Sequence, residues 1–194
     1  MEKKTDLRVI KTQRLIKSVF FQLMAEIGFR KINVQKIISR AQINRSTFYA
    51  HYLDKFDLLN KVENDLLTEI KNMSYDVPFE SITTFSLDNE ILIKRIRDEI
   101  YYMHENGNIF MLLLSEKGDP AFAYKLNELI DSIWTEQKII DRLSIPQSYA
   151  FAATTGMTTS LITEWVKSGF RETPEEFLQI VLKIMKDIPK NIFE

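Results

Sequence analysis

The sequence predicts an all-α fold of about nine helices, with an amino-terminal three-helix unit followed by a larger helical part. Three observations predict it. Glycine and proline are scarce, with 5 of each in 194 residues, fewer than the many turns of a strand-rich fold require. Apolar residues recur at i, i+3, i+4 and i+7 along most of the chain. The periodic stretches begin at residues that cap helices and stop at glycine or proline.

Each element follows from these signals. Residues 12–27 carry Leu15, Ile16, Val19, Phe20, Leu23, Met24 and Ile27 on one stripe, and Gly28 is the stop. Asn33 caps a short helix over 34–41, with Val34, Ile37, Ile38 and Ala41 inward. Asn44 caps the next, over 45–52, so that a tight turn at Gln42 and Ile43 joins two short helices. Asp54 caps a fourth helix over 55–73, with Phe56, Leu59, Val62, Leu66, Leu67 and Ile70 at helical spacing. Residues 74–87 break the pattern and read as a connection. A helix over 88–105 follows, then a turn at Asn106, Gly107 and Asn108 and a short apolar helix over 109–115. Asp119 and Pro120 open a helix to residue 143, and Pro146 opens another to 168, ended by Gly169. Thr173, Pro174 and Glu176 combine a cap, a first-turn proline and a reciprocal glutamate, and the last helix runs to 188 and stops at Pro189.

Composition removes several function classes. The absence of cysteine excludes a disulfide framework, a zinc-thiolate site and a cysteine nucleophile. The charged start has no secretory apolar core, and no run of about 18 apolar residues occurs, so a cytoplasmic protein without a membrane partner is expected. An enzyme is not expected: there is no glycine-rich phosphate loop, and His51 and His104 are the only histidines. No cofactor or metal is expected either. The charge is uneven, with 12 Lys and Arg against 5 Asp and Glu in residues 1–60, and 14 against 22 in residues 61–194. A basic end on an acidic remainder suits a polyanion partner at that end. The expected division is a basic part over 1–60, with two short helices about a tight turn at 33–52, and a larger helical part over 61–194.

The stretch INRSTFYAHYLDKF at 43–56 carries the sharpest signal. A short third helix after a tight turn places its first residues at base edges in a major groove. Arg45 and Ser46 stand there; Arg takes guanine bidentately, and Ser donates or accepts. Thr47, Tyr49 and His51 are expected at phosphate oxygens, and Tyr52 packs its ring and keeps a polar tip. Lys55, Asn33 and Lys36, and Thr12 lie near helix starts, where free N–H groups favour an anion. Asn44 completes the candidate set as the cap.

GFRKINVQKIISRAQINRSTFYAHYLDKFDLL resembles the DNA-binding signature of the TetR family of bacterial transcriptional regulators. Gly28, Val34, Ile37, Ala41, Thr47, Phe48, Tyr49, His51, Lys55 and Leu58 match in register. Asn33 stands for a usual Thr, Asn44 for a usual Ser, Ser39 for a small apolar residue, and Gln42 for the turn glycine. A positive φ at Gln42 would cost up to about 1 kcal/mol. EWVKSGFRETPEEF resembles the family's link between its last two helices, at Trp165, Gly169 and Pro174. The resemblance implies a dimeric regulator, in the repressor mode, that binds double-stranded DNA at a near-palindromic operator and is released by a small-molecule effector.

The carboxy-terminal residues give two further expectations. Tyr101, Tyr102, Met103, His104, Phe110, Met111, Trp134, Met157 and Trp165 are candidate lining for an apolar or aromatic effector. Ala150, Ala153, Gly156, Met157 and Leu161 suit close helix approach, and Phe177, Ile180, Val181, Ile184 and Ile188 form an apolar face, so both sets are assigned to a homodimer interface. The competing reading keeps the fold but places control in a protein partner, with no small-molecule pocket. An enclosed cavity favours the first, and a filled core with an exposed apolar patch the second.

Overall fold

The computed structural model of the chain describes residues 7–74, 90–136, 138, 141 and 143–185. Among them are nine α-helices and one 3-10 helix: α1 Leu7–Ile27, the 3-10 turn Phe29–Lys31, α2 Val34–Ala41, α3 Arg45–Tyr49, α4 Lys55–Ser74, α5 Glu90–Glu105, α6 Gly107–Leu113, α7 Phe122–Glu136, α8 Gln147–Lys167 and α9 Pro174–Met185. The expected connection at 74–87 lies outside the described residues except for Ser74, which closes α4.

The boundaries follow local chemistry. α1 is already helical at Leu7, the first described residue, so the expected start at 12 lies inside the helix; the Thr12 hydroxyl donates to the Arg8 carbonyl at 2.8 Å instead of capping. Ile16, Val19, Phe20, Leu23 and Met24 are buried on its inner face. Leu15, expected on that face, is exposed: it sits one residue, about 100° of helix turn, before Ile16. Asn33 caps α2 as expected, its Oδ1 accepting from the Lys36 N–H at 2.9 Å. α2 ends in a left-handed turn at Gln42, φ 52° and ψ 42°, where glycine is the usual residue. α3 is shorter than expected and ends at Tyr49, with His51 and Tyr52 in the following turn. Asn44 occupies the capping position of α3, but its side chain makes no capping hydrogen bond. Asp54 caps α4, accepting from the Phe56 and Asp57 N–H groups at 2.8 Å, and Asp57 accepts in return from Leu53 at 2.9 Å.

Two corrections concern the later helices. Gly107, expected in a turn, begins α6. A Cβ there would lie 2.6 Å from the Phe170 ring, so any side chain at this position would have to displace that ring. The helix after Pro120 begins at Phe122 and ends at Glu136, and Lys138 has a φ of 56°. The last helix is described to Met185, and the expected extension to 188 lies outside the described residues. Its start is the reciprocal cap read from the sequence: the Thr173 N–H donates to Glu176 at 2.9 Å, and the Glu176 N–H to the Thr173 hydroxyl at 3.3 Å.

α1 packs on α2 and α6, α4 on α5 and α7, α5 on α9, and α7 on α8. One apolar core runs from Ile16 to Leu182. α4 joins the amino-terminal helices to the rest. Lys17 of α1 pairs with Asp65, Lys71 pairs with Glu136 of α7 at 2.7 Å, and Lys125 of α7 pairs with Glu63. Phe29 adds a backbone link, donating to the Lys117 carbonyl at 2.8 Å.

Candidate nucleic-acid interface and interior cavity

Phe48, with no exposed surface, pins α3 to the core, and its ring lies 5.7 Å from Tyr52 and 5.5 Å from Tyr49. A five-residue helix held at that one side chain presents the other side outward. Arg45 and Ser46 are exposed there and Thr47 is half-buried. The Arg45 guanidinium lies over the Tyr49 ring, 5.5 Å from its centre, and Nη2 donates to the Tyr49 hydroxyl at 3.4 Å. That contact holds an otherwise freely turning side chain near the helix. Asn33 and Lys36 are also exposed. The Lys36 ammonium donates to the Lys31 carbonyl at 2.8 Å.

Several expected contacts are placed differently. Tyr52 is only 2% exposed and its hydroxyl has no partner among the described residues. Burial first, then the charges of Asp65 and Asp57, push that hydroxyl up to about 12. It is a core residue and does not reach a phosphate as it stands. The Lys55 ammonium donates to the carbonyls of Phe29, Arg30 and Ile32 at 3.1, 3.3 and 2.8 Å. It also lies 4.6 Å from the Phe29 ring centre, and burial lowers its pKa. Lys55 therefore clamps the 3-10 turn and is not a free cation at a helix start. Thr12 lies within α1, its hydroxyl committed to the Arg8 carbonyl. His51 is half-buried, and its carbonyl accepts from Lys61 at 3.0 Å. Lys61, which no sequence motif singles out, also pairs with Asp57 at 2.9 Å and lies over the Tyr52 ring. Its spacing of four from Asp57 was the available signal.

A cavity of about 150 Å³ lies between α4, α5, α7, α8 and α9. Of the nine candidate lining residues, Met103 and Trp134 line it. Tyr101 and His104 are exposed. Tyr102 packs edge-on against Phe110, itself buried in the core. Met111 borders a shallow groove between α1 and α6. Trp165 is buried, stacked on Phe177 with ring centres 4.2 Å apart, and donates from Nε1 to the Glu172 carbonyl. Met157 is half-buried on α8 and does not line the cavity. The missed lining residues are mainly aliphatic, with the ion pair Arg95–Glu99 among them, Nε to Oε1 at 2.8 Å. An i, i+4 charge pair reads from sequence as a solvated face, which is why it carried no signal.

The expected interface residues also divide. Ala150, Phe177 and Val181 are buried within the chain, and Leu161 lines the cavity. Ala153, Ile180 and Ile184 are exposed, Gly156 and Met157 are half-buried, and Ile188 lies outside the described residues. The wide apolar arc of α9 gives Phe177, Leu178, Val181 and Leu182 to its own core, which leaves Ile180 and Ile184. Among the described residues, no helix is long and apolar enough to cross a membrane, and no group of three or more His, Cys, Asp or Glu could hold a metal ion.

Residues 21–62 match the family model for bacterial regulatory proteins of the tetR family, and residues 92–187 match that of a TetR-type transcriptional regulator C-terminal region. The chain is 26% identical over 188 residues to the "Uncharacterized HTH-type transcriptional regulator YxbF" of Bacillus subtilis, covering 93% of this chain and 47% of the relative. It is 24% identical over 129 residues to the dhaKLM operon transcriptional activator DhaS of Lactococcus lactis, covering 66% of this chain and 63% of the relative. The chain thus spans about half to two thirds of the length of these curated relatives. A TetR transcriptional regulator from Streptococcus agalactiae has the same fold, with a TM-score of 0.67 at 24% identity, covering 92% of this chain and 96% of that one. Matched by TetR models over both its amino-terminal and its carboxy-terminal residues, the chain belongs to the TetR family of bacterial transcriptional regulators.

Proposed function

We propose that the chain is a sequence-specific DNA-binding repressor, acting as a homodimer on a near-palindromic operator and released by a small molecule in the cavity. Residues 1–60 are the DNA-reading part and 61–194 the dimerising and ligand-binding part, with α4 shared between them. The observation that carries the reading is the first turn of α3, where Arg45 and Ser46 are exposed on a helix pinned by Phe48 on its other side. Arg45 and Ser46 read base edges, while Thr47, Tyr49, His51, Asn33 and Lys36 face the phosphates. The cavity favours a small effector over a protein partner as the controlling input. A ligand that binds one spacing of the two reading heads better than the other shifts the population and so operator affinity. α4 is suited to transmit this, since its last residues, Ile70 and Ser74, line the cavity and its first, Lys55, clamps the 3-10 turn. DhaS is named an activator, so the sign is read separately, from a reporter behind the selected operator.

The test is selection of bound sequences from random DNA. Two dyad-related half-sites about one helical turn apart are expected. Failure to enrich any sequence at low salt overturns the reading. The dimer is tested by Ile180→Glu combined with Ile184→Glu, which should sediment as a monomer. A stable dimer from that variant removes the α9 face from the interface.

A further inference from the structure

Resting on the effector reading above, we propose that the cavity selects a compact uncharged molecule with one hydrogen-bond acceptor, and that Arg95 reads that acceptor. The walls set size and polarity. At about 150 Å³ the cavity is the size of an engineered void known to hold benzene. Leu92, Ile96, Leu126, Ile133 and Ile162 make most of it aliphatic, so an apolar body is required.

The polar groups set the rest. The Thr154 hydroxyl is committed to the Ala150 carbonyl at 2.7 Å, and that of Thr158 to the Thr154 carbonyl at 2.8 Å. The Ser74 hydroxyl lies between the Ile70 carbonyl at 3.1 Å and Glu99 Oε1 at 3.0 Å. Arg95 gives Nε to the same Glu99 oxygen. Its Nη1 and Nη2 hydrogens have no protein partner among the described residues and are not closed off from water, so Arg95 is a charged donor at the cavity wall whose water a ligand acceptor can replace.

Charge decides between an ionic and a neutral ligand. The side chains of Arg95 and Glu99 are only 18% and 15% exposed, and their opposite charges cancel. A ligand carboxylate would place a third charge in a largely apolar site and leave it net negative, against the desolvation cost of a buried ion. An uncharged carbonyl accepts an Nη hydrogen and leaves the balance intact. A ligand without an acceptor leaves the guanidinium unsatisfied. The ligand class is therefore a small, neutral, monocyclic or short-chain ketone, aldehyde or ester.

Calorimetry on the full chain with three probes tests this: acetophenone, ethylbenzene and benzoate. Acetophenone should bind about tenfold or more tighter than either of the others. Removing Arg95 alone strands Glu99, so the variant is Arg95→Met with Glu99→Leu, which deletes both charges together. It should bind ethylbenzene as well as acetophenone. If ethylbenzene matches acetophenone in the unmodified chain, or benzoate binds tightest, the role of Arg95 is overturned while the effector site stands. If none of the three binds at millimolar concentration, the effector-site reading falls and this one with it.

Discussion

Around α3 the polar side chains stand outside a filled core; around the cavity they stand inside an unfilled one. Phe48, Ile37, Ile16 and Phe20 are fully buried in the first region, and the exposed groups are Arg45, Ser46 and Tyr49. In the second, aliphatic walls surround a void and enclose the Arg95–Glu99 pair. A filled core makes α3 a rigid presenter, as reading a fixed lattice of base edges requires. A void with a buried ion pair is costly for an isolated fold, and it is the arrangement a ligand can complete. Rigidity outside and incompleteness inside thus separate a presenting surface from a receiving one.

Core substitutions test that contrast most strongly. Phe48→Ala should cost about 3–5 kcal/mol by denaturant midpoint, since the ring is fully buried. Ile37→Phe should cost about 1–3 kcal/mol by overpacking. Leu126→Phe, facing the cavity, should cost less than about 1 kcal/mol or stabilise. Equal losses for the two insertions would mean that the cavity region is packed as tightly as the amino-terminal core.

The next effect separates reading from holding. Arg45→Ala should weaken specific operator binding by roughly 1–3 kcal/mol and relax sequence preference, with folding stability unchanged. Lys55→Ala should instead lose about 1 kcal/mol of stability, because three carbonyls lose their donor. Its salt dependence should move little. A salt slope reduced by about one with unchanged stability would return Lys55 to the phosphate contacts.

The smallest effect lies between the two regions. Glu63 is fully buried on α4, with Lys125 on Oε2 and no partner on Oε1 among the described residues. Burial pushes its carboxyl up to about 7, against the pull of Lys125 and with a further push from Asp119. Its folded pKa exceeds the ordinary 4.5, so the folded state binds the proton more tightly. Stability should therefore fall as pH rises from about 4.5 to 7 and then level. Asp119, held low by hydrogen bonds from the Ala121 N–H and from Lys125 that outweigh its burial, acts the other way only in acid. Melting temperatures of the wild type and Glu63→Gln between pH 5 and 8 check this. The variant should gain on the wild type with rising pH, and parallel curves would remove Glu63 as the titrating group.

Local hydrogen bonding made much of the fold readable in advance. Asn33 over Lys36, Asp54 over Phe56 and Asp57, and Thr173 with Glu176 each join residues two or three apart. Their geometry is set by the helix start itself. The left-handed turn at Gln42 was legible through the family pattern, because the chain must reverse within two residues whatever occupies the turn. The site was legible only in part. Arg45 and Ser46 stand on the open side of a short helix, and that followed from spacing. Tyr52 and Lys55 did not follow, because a ring or an ammonium near a helix start turns inward or outward according to what covers it.

The sequence by itself determined the helical class, the order of the helices, the caps at Asn33, Asp54 and Thr173, and the presenting side of α3, because these depend on residues within a turn or two of one another. Only the tertiary structure decided that Lys55 clamps the 3-10 turn, that Tyr52 is core, that Ile180 and Ile184 are left uncovered, and that Arg95 and Glu99 face a cavity. Each of those depends on which distant helix lies against a given face, and periodicity identifies a face without naming its cover.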